Sequence, residues 1–249
     1  MIKAGLLGCG NLAKVIARFA KKFDVEIVAL YDFDFEKAKK LEEISGKACK
    51  SFEEFLSENF DFVVEAASAE AVREFGEKIL ESGKNLVVLS VSALADKDLL
   101  EKLKRVAKKS GKRVFIPSGA IVGVDGVLAL KFFNPKVKLV TSKSPESLGT
   151  DKEGLIFKGS SREAAKKFPK NLNVAATLFL AAGKEVDVEV YSKRGLKTNV
   201  HEIFVEWDFG RFYVSVENVP SEENPKSSYL AAFSVLSLLK NLEEEVVVW

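Results

Sequence analysis

Over roughly the first 116 residues, short Val/Ile/Leu-rich runs alternate with longer segments whose apolar positions recur every three to four residues. The runs at 2–7, 25–31, 62–66, 86–89 and 114–116 are short and rich in Val, Ile and Leu. That pattern predicts strands covered on both faces, as in a parallel sheet. Segments 12–22, 35–44, 69–82 and 97–110 predict amphipathic helices, the last placing Leu99, Leu103 and Val106 on one face and Lys and Glu on the other. Strand and helix in strict succession are the mark of βα units. Past Pro117 the pattern changes. A Gly-rich stretch at 118–126 leads into runs at 136–142, 186–191, 200–208 and 212–219 that alternate apolar and polar residues, as antiparallel strands with one wetter face do. Helices are predicted at 173–182 and 227–239.

The loop Gly8-Cys9-Gly10-Asn11-Leu12-Ala13 follows the first predicted strand and opens the first helix. In that context a glycine at position 8 permits the tight turn, and Gly10 leaves room for a pyrophosphate to approach the backbone. Ala13 lets helix and strand pack closely. The helix N-terminus, reached through Asn11 and Leu12, attracts the anion. Asp32 ends the second strand about 20 residues on, where a carboxylate accepts hydrogen bonds from the adenosine ribose. The plainer reading is a Gly-rich turn and a surface acid, but motif, strand, helix and acid coincide. The expected fold class is therefore α/β: an N-terminal Rossmann dinucleotide-binding domain over 1–117, with a second α/β domain over 118–225 built on a mostly antiparallel sheet. Helix 226–241 is expected to pack back onto the first domain. NAD is the expected cofactor, with NADP as the alternative. Ala67 and Ser68 after the 62–66 strand, and Ser90-Val91-Ser92 after the 86–89 strand, are small residues at the carboxyl edge where such sheets bind ligands, or simply short loops.

Composition narrows the classes. With 47% hydrophobic and 30% charged residues the chain is expected to fold throughout. Its net charge of +2 is spread rather than clustered, so nucleic acid is not an expected partner. No apolar run reaches the ~18–20 residues of a membrane span, and no signal peptide is read at the N-terminus, so the expected location is cytoplasmic. The two cysteines, Cys9 and Cys49, are expected to be reduced. Glutamine is absent and Met occurs once, a thermophile-like bias. No Cys/His cluster with zinc-ligand spacing is present, so no metal is expected and a zinc-dependent alcohol dehydrogenase is disfavoured, and the missing Gly-x-Ser-x-Gly elbow removes the usual hydrolase. His201 is the only histidine and starts a strand with Ile203, Val205 and Trp207 on its face. Taken alone it reads first as a satisfied core residue, and second as a group able to move protons near neutral pH.

Four further runs carry a resemblance: Pro117-Ser118-Gly119-Ala120-Ile121, Asn171-Leu172-Asn173-Val174-Ala175-Ala176-Thr177, Asn199-Val200-His201-Glu202-Ile203 and Asn224-Pro225-Lys226-Ser227-Ser228. With the glycine loop, the whole chain resembles the L-aspartate dehydrogenase family. The resemblance implies oxidation of L-aspartate with NAD or NADP to iminoaspartate, which hydrolyses to oxaloacetate and ammonia or feeds NAD biosynthesis. It implies His201 as the catalytic residue, Ala120 and Asn173 as cofactor contacts, and a homodimer. Ser118, Asn199 and Lys226 are expected at the substrate. Three places depart from the family pattern: Val122 for a usual glycine, Ser227 for a usual threonine, and Tyr191-Ser192-Lys193-Arg194-Gly195 for an Ala-Asp-Pro-like stretch. Other readings are a dihydrodipicolinate-reductase-like or homoserine-dehydrogenase-like enzyme, or a non-catalytic NAD(H)-sensing protein.

Overall fold

A computed structural model describes residues 1–169, 172–221 and 224–247, without the side chains of residues 220, 221 and 224–227. The chain forms two compact units, one of residues 1–117 with the chain from Ala231 onward, the other of residues 118–230.

The first unit runs β1 (Ile2–Leu7), α1 (Asn11–Phe19), β2 (Val25–Tyr31), α2 (Phe35–Glu42), β3 (Lys47–Ala48), α3 (Phe52–Ser57), β4 (Phe62–Glu65), α4 (Ala69–Glu81), β5 (Asn85–Val88), α5 (Lys97–Ser110) and β6 (Val114–Phe115). Its sheet is parallel, in the order β3-β2-β1-β4-β5-β6. That is the doubly wound Rossmann order, whose ligand crevice opens at the carboxyl ends of β1 and β4, where the winding reverses. Ala4, Leu6, Val63, Val64, Leu86 and Val87 are fully buried, which is why these strands read as Val/Ile/Leu-rich runs. The short β3 and α3 were not expected. β3 has two residues, and α3 owes its start to Ser51, whose side chain accepts from the Glu54 N–H.

The second unit contains α6 (Val124–Ala129), β7 (Lys136–Lys143), α7 (Pro145–Leu148), β8 (Gly154–Ser160), α8 (Ser161–Lys167), α9 (Asn173–Ala182), β9 (Asp187–Ser192), β10 (Asn199–Trp207), β11 (Gly210–Asn218), β12 (Pro220–Ser221) and β13 (Asn224–Ser228). Its five-stranded sheet has the order β11-β10-β7-β9-β8, antiparallel except for the β7–β9 pair. The α9 helix is apolar around nearly its whole circumference and joins Leu139, Val188, Ile203 and Val205 in one core.

The last helix, α10 (Tyr229–Asn241), starts two residues later than its periodicity predicts, because Ser227 and Ser228 belong to β13. From Ala231 on it is part of the first unit. Phe233 meets Phe19 edge-on at 5.2 Å, and Lys240 pairs with Asp24 at 2.6 Å.

Candidate active site

The turn between β1 and α1 is shaped by two glycines with different jobs. Gly8 has φ +94, and a Cβ there would sit 2.6 Å from the Ala67 Cβ, so the turn and the neighbouring loop both demand glycine. Gly10 is the N-cap of α1 at an ordinary φ of −78, and a Cβ there would meet no protein atom within 4 Å. Nothing inside the unit requires that vacancy. It fits a pyrophosphate, as does the lack of a side-chain cap on α1. Ala13 is fully buried, and Asn11 and Leu12 are half-buried at the helix start. Asp32 holds the loop directly: Oδ2 accepts the Cys9 N–H at 2.8 Å and Oδ1 the Asp34 N–H at 2.9 Å. Burial, then the Asp32 charge, pushes the Cys9 thiol up to about 12, so it is a packed thiol rather than a nucleophile. Both cysteines are free.

Beside this loop the ends of β4 and β5 are joined by a carboxylate that sequence reasoning missed. Glu65 is fully buried; Oε1 accepts the Ala67 N–H and the Ser90 hydroxyl, and Oε2 the Ser90 N–H, at 2.8–2.9 Å. Burial raises its pKa, and the backbone donors of Ser90, Ala67 and Ser68 oppose that rise. Ala67 is exposed, and Ser68 caps α4 by accepting from the Ala71 N–H at 3.2 Å. A charged residue ending a Val-rich strand was the available signal.

In the second unit, the inner face of β10 changes character along its length. Val205 and Ile203 pair with Val137 and Leu139 of β7 in the apolar core. One step further, His201 pairs with Thr141, and its Nδ1 lies 3.0 Å from the Thr141 Oγ1, both buried. Burial, then the charge of Lys143, drives the imidazole pKa down to about 3, so the ring is neutral. Asn199 follows on the same face; it lies within the strand rather than in a turn, and Thr141 is the residue bonded to the ring nitrogen. Its register partner Asn218 donates through Nδ2 to the Ala120 carbonyl at 2.9 Å and accepts from the Ser228 hydroxyl at 2.8 Å. The Ser118–Ala120 run is thereby tied to the strand beside His201. Ser118 is half-buried, and Asn173 opens α9 with its carbonyl accepting from Thr177 at 3.2 Å. The Lys226 side chain lies outside the described residues.

Two other features stand apart from this chemistry. Cys49, Glu54 and Glu58 come within metal-ligand distance of one another, but Lys47 already lies on both glutamates at 3.1 and 2.6 Å. A groove of about 700 Å³ involves Lys138, Phe204, Arg211 and Tyr213 and does not include His201. No helix among the described residues is long and apolar enough to cross a membrane.

Comparison with known proteins matches both units. Residues 4–117 match the family described as homoserine dehydrogenase, NAD binding domain, and residues 130–242 match aspartate dehydrogenase, C-terminal. The L-aspartate dehydrogenase of Methanospirillum hungatei is 46% identical, over 100% of this chain and 99% of that protein. The L-aspartate dehydrogenase of Archaeoglobus fulgidus is 43% identical over 98% and 99%. The crystal structure of aspartate dehydrogenase from Thermotoga maritima superimposes with a TM-score of 0.78 at 32% identity, covering 100% of both chains.

Proposed function

The chain belongs to the L-aspartate dehydrogenase family, and from that premise we propose that it oxidises L-aspartate with NAD, using His201 to move protons. The first unit binds the dinucleotide through Gly8, Gly10, Asn11, Leu12 and Asp32, with Ala67 and Ser68 at the neighbouring edge, and Ala120 and Asn173 are assigned to the cofactor on the family likeness. Residues 118–225 are assigned as the substrate and catalytic domain, with Ser118, Asn199 and Lys226 at the substrate. The observation that carries this reading is the neutral, buried His201, held by Thr141 where an apolar strand face turns polar.

When bound, the nicotinamide supplies the hydride acceptor. The protein's own task is the proton inventory. The substrate ammonium must lose a proton, so that its lone pair forms the C=N bond of iminoaspartate as hydride leaves Cα. Water then adds to that carbon and must also lose a proton before ammonia departs, leaving oxaloacetate. His201 is uncharged and can take either proton. With Nδ1 engaged by Thr141, the nitrogen left for substrate is Nε2. NADP is the weaker cofactor, because the Asp32 carboxylate repels a 2′-phosphate.

We place the enzyme in a reducing compartment, the cytoplasm, a reading supported by its two free buried cysteines. It works as a homodimer, supported by the aromatic pair Phe204–Tyr213, whose rings lie 4.8 Å apart and which is about half exposed. Light scattering on the purified chain tests the dimer. Appearance of NADH absorbance with L-aspartate and NAD alone tests the function. Activity with homoserine instead, or cofactor binding without turnover of any amino acid, would overturn it.

A further inference from the structure

Lys143 and Ser192 form the last register pair between β7 and β9. By alternation Lys143 shares the face of Leu139 and Thr141, and Ser192 that of Val188 and Val190, so both point to the side of the sheet that carries His201. Lys143 is only 3% exposed. Lysine is almost never buried this deeply, because an ammonium loses its hydration. Ser192 is fully buried, and its Oγ has no hydrogen-bond partner among the described residues. Leaving a buried hydroxyl unpaired costs ~1–3 kcal/mol, a cost that a ligand oxygen removes. The cation and the orphan hydroxyl thus stand together, one step along the strand from the Thr141–His201 pair.

We propose that Lys143 and Ser192 are the receptor for a carboxylate of the amino-acid substrate. This rests on the reading that L-aspartate is oxidised beside His201. An ammonium and a hydroxyl together match the two oxygens of a carboxylate with charge-assisted hydrogen bonds. The pairing also has a consequence for the base. Lys143 is near enough to depress the imidazole pKa, and a carboxylate set on it offsets that field. His201 therefore becomes more basic when substrate arrives than in the free enzyme.

The test compares wild type with Lys143→Met and Ser192→Ala by steady-state kinetics with L-aspartate, by NADH binding, and by thermal shift with succinate as a non-reacting dicarboxylate. Loss of a charge-assisted bond should raise the KM for aspartate ~10–100-fold in Lys143→Met and by less in Ser192→Ala. NADH affinity should stay within about twofold of wild type in both, since neither side chain is assigned to the cofactor. Succinate should stabilise wild type and not Lys143→Met. An unchanged KM, or equal succinate stabilisation of both proteins, would remove Lys143 from the site. Wild type that fails to oxidise aspartate while succinate still distinguishes it from Lys143→Met would leave the receptor standing and overturn the reaction instead. Should Lys143→Met not fold, an unaltered KM and succinate response in Ser192→Ala overturns the receptor on its own.

Discussion

Thr141 Oγ1 and His201 Nδ1 meet at 3.0 Å across a register pair that joins β7 to β10, on a sheet face that also carries Leu139, Ile203 and Val205. A buried imidazole nitrogen without this partner would be unsatisfied, and the ring would lose the contact that sets its orientation. Thr141→Val keeps the shape and removes the hydroxyl. The expected outcome is a stability loss of ~1–3 kcal/mol and a fall in kcat with NADH affinity unchanged. Thr141→Ser should restore most of the turnover. Denaturant melts and initial rates check both, and an unaltered kcat in a folded Thr141→Val protein would mean that the ring needs no such support.

The two loop glycines should separate fold from function. Gly8→Ala forces a side chain into φ +94 and against Ala67, so the protein should lose stability by ~1–3 kcal/mol or more. Gly10→Ala meets no protein atom and has an allowed φ, so the melting temperature should hold while NADH affinity drops at least tenfold. Unimpaired NADH binding by Gly10→Ala would show that no pyrophosphate passes over this residue.

Asp32 has two duties, because its carboxylate anchors the Cys9 and Asp34 backbone as well as being assigned to the ribose. Asp32→Ala should therefore damage use of NAD and NADP alike by loosening the loop. Asp32→Asn keeps an oxygen acceptor and removes the charge, so the ratio of NADP to NAD kcat/KM should rise about tenfold or more. A ratio that stays constant in Asp32→Asn would place the 2′ position elsewhere.

The single histidine also predicts a pH dependence of stability. Its pKa is 6.5 ordinarily and about 3 in the folded chain, so between these values the unfolded state takes up a proton that the folded state refuses. The stabilisation tied to the neutral ring is complete above the ordinary value and is lost as pH falls towards the folded one, by about 1.4 kcal/mol per pH unit. His201→Asn should accordingly flatten the fall of the melting temperature with acidification in that window, leaving the part due to carboxylates. A slope identical to wild type would show that the imidazole is solvated in the folded protein.

Local pattern was enough for the elements whose burial is uniform. The short Val/Ile/Leu-rich runs of β1, β2 and β4 announced a two-sided parallel sheet. The glycine loop and Asp32 stood at their sequence spacing because a strand, a turn and a helix N-terminus are all short-range structures. Alternation likewise placed Asn199, His201, Ile203 and Val205 on one face of β10. What alternation leaves open is which face is covered, and by what. β3 and α3 were missed because two and six residues are too few to show a period. Glu65 and Lys143 look like ordinary charged residues in a strand-forming run. Only the tertiary structure makes them buried groups, by closing the Ser90 loop over one and setting Ser192 beside the other. The partner of His201 had the same cause. Thr141 lies 60 residues away, and pairing across that distance is decided by which strands the sheet places side by side.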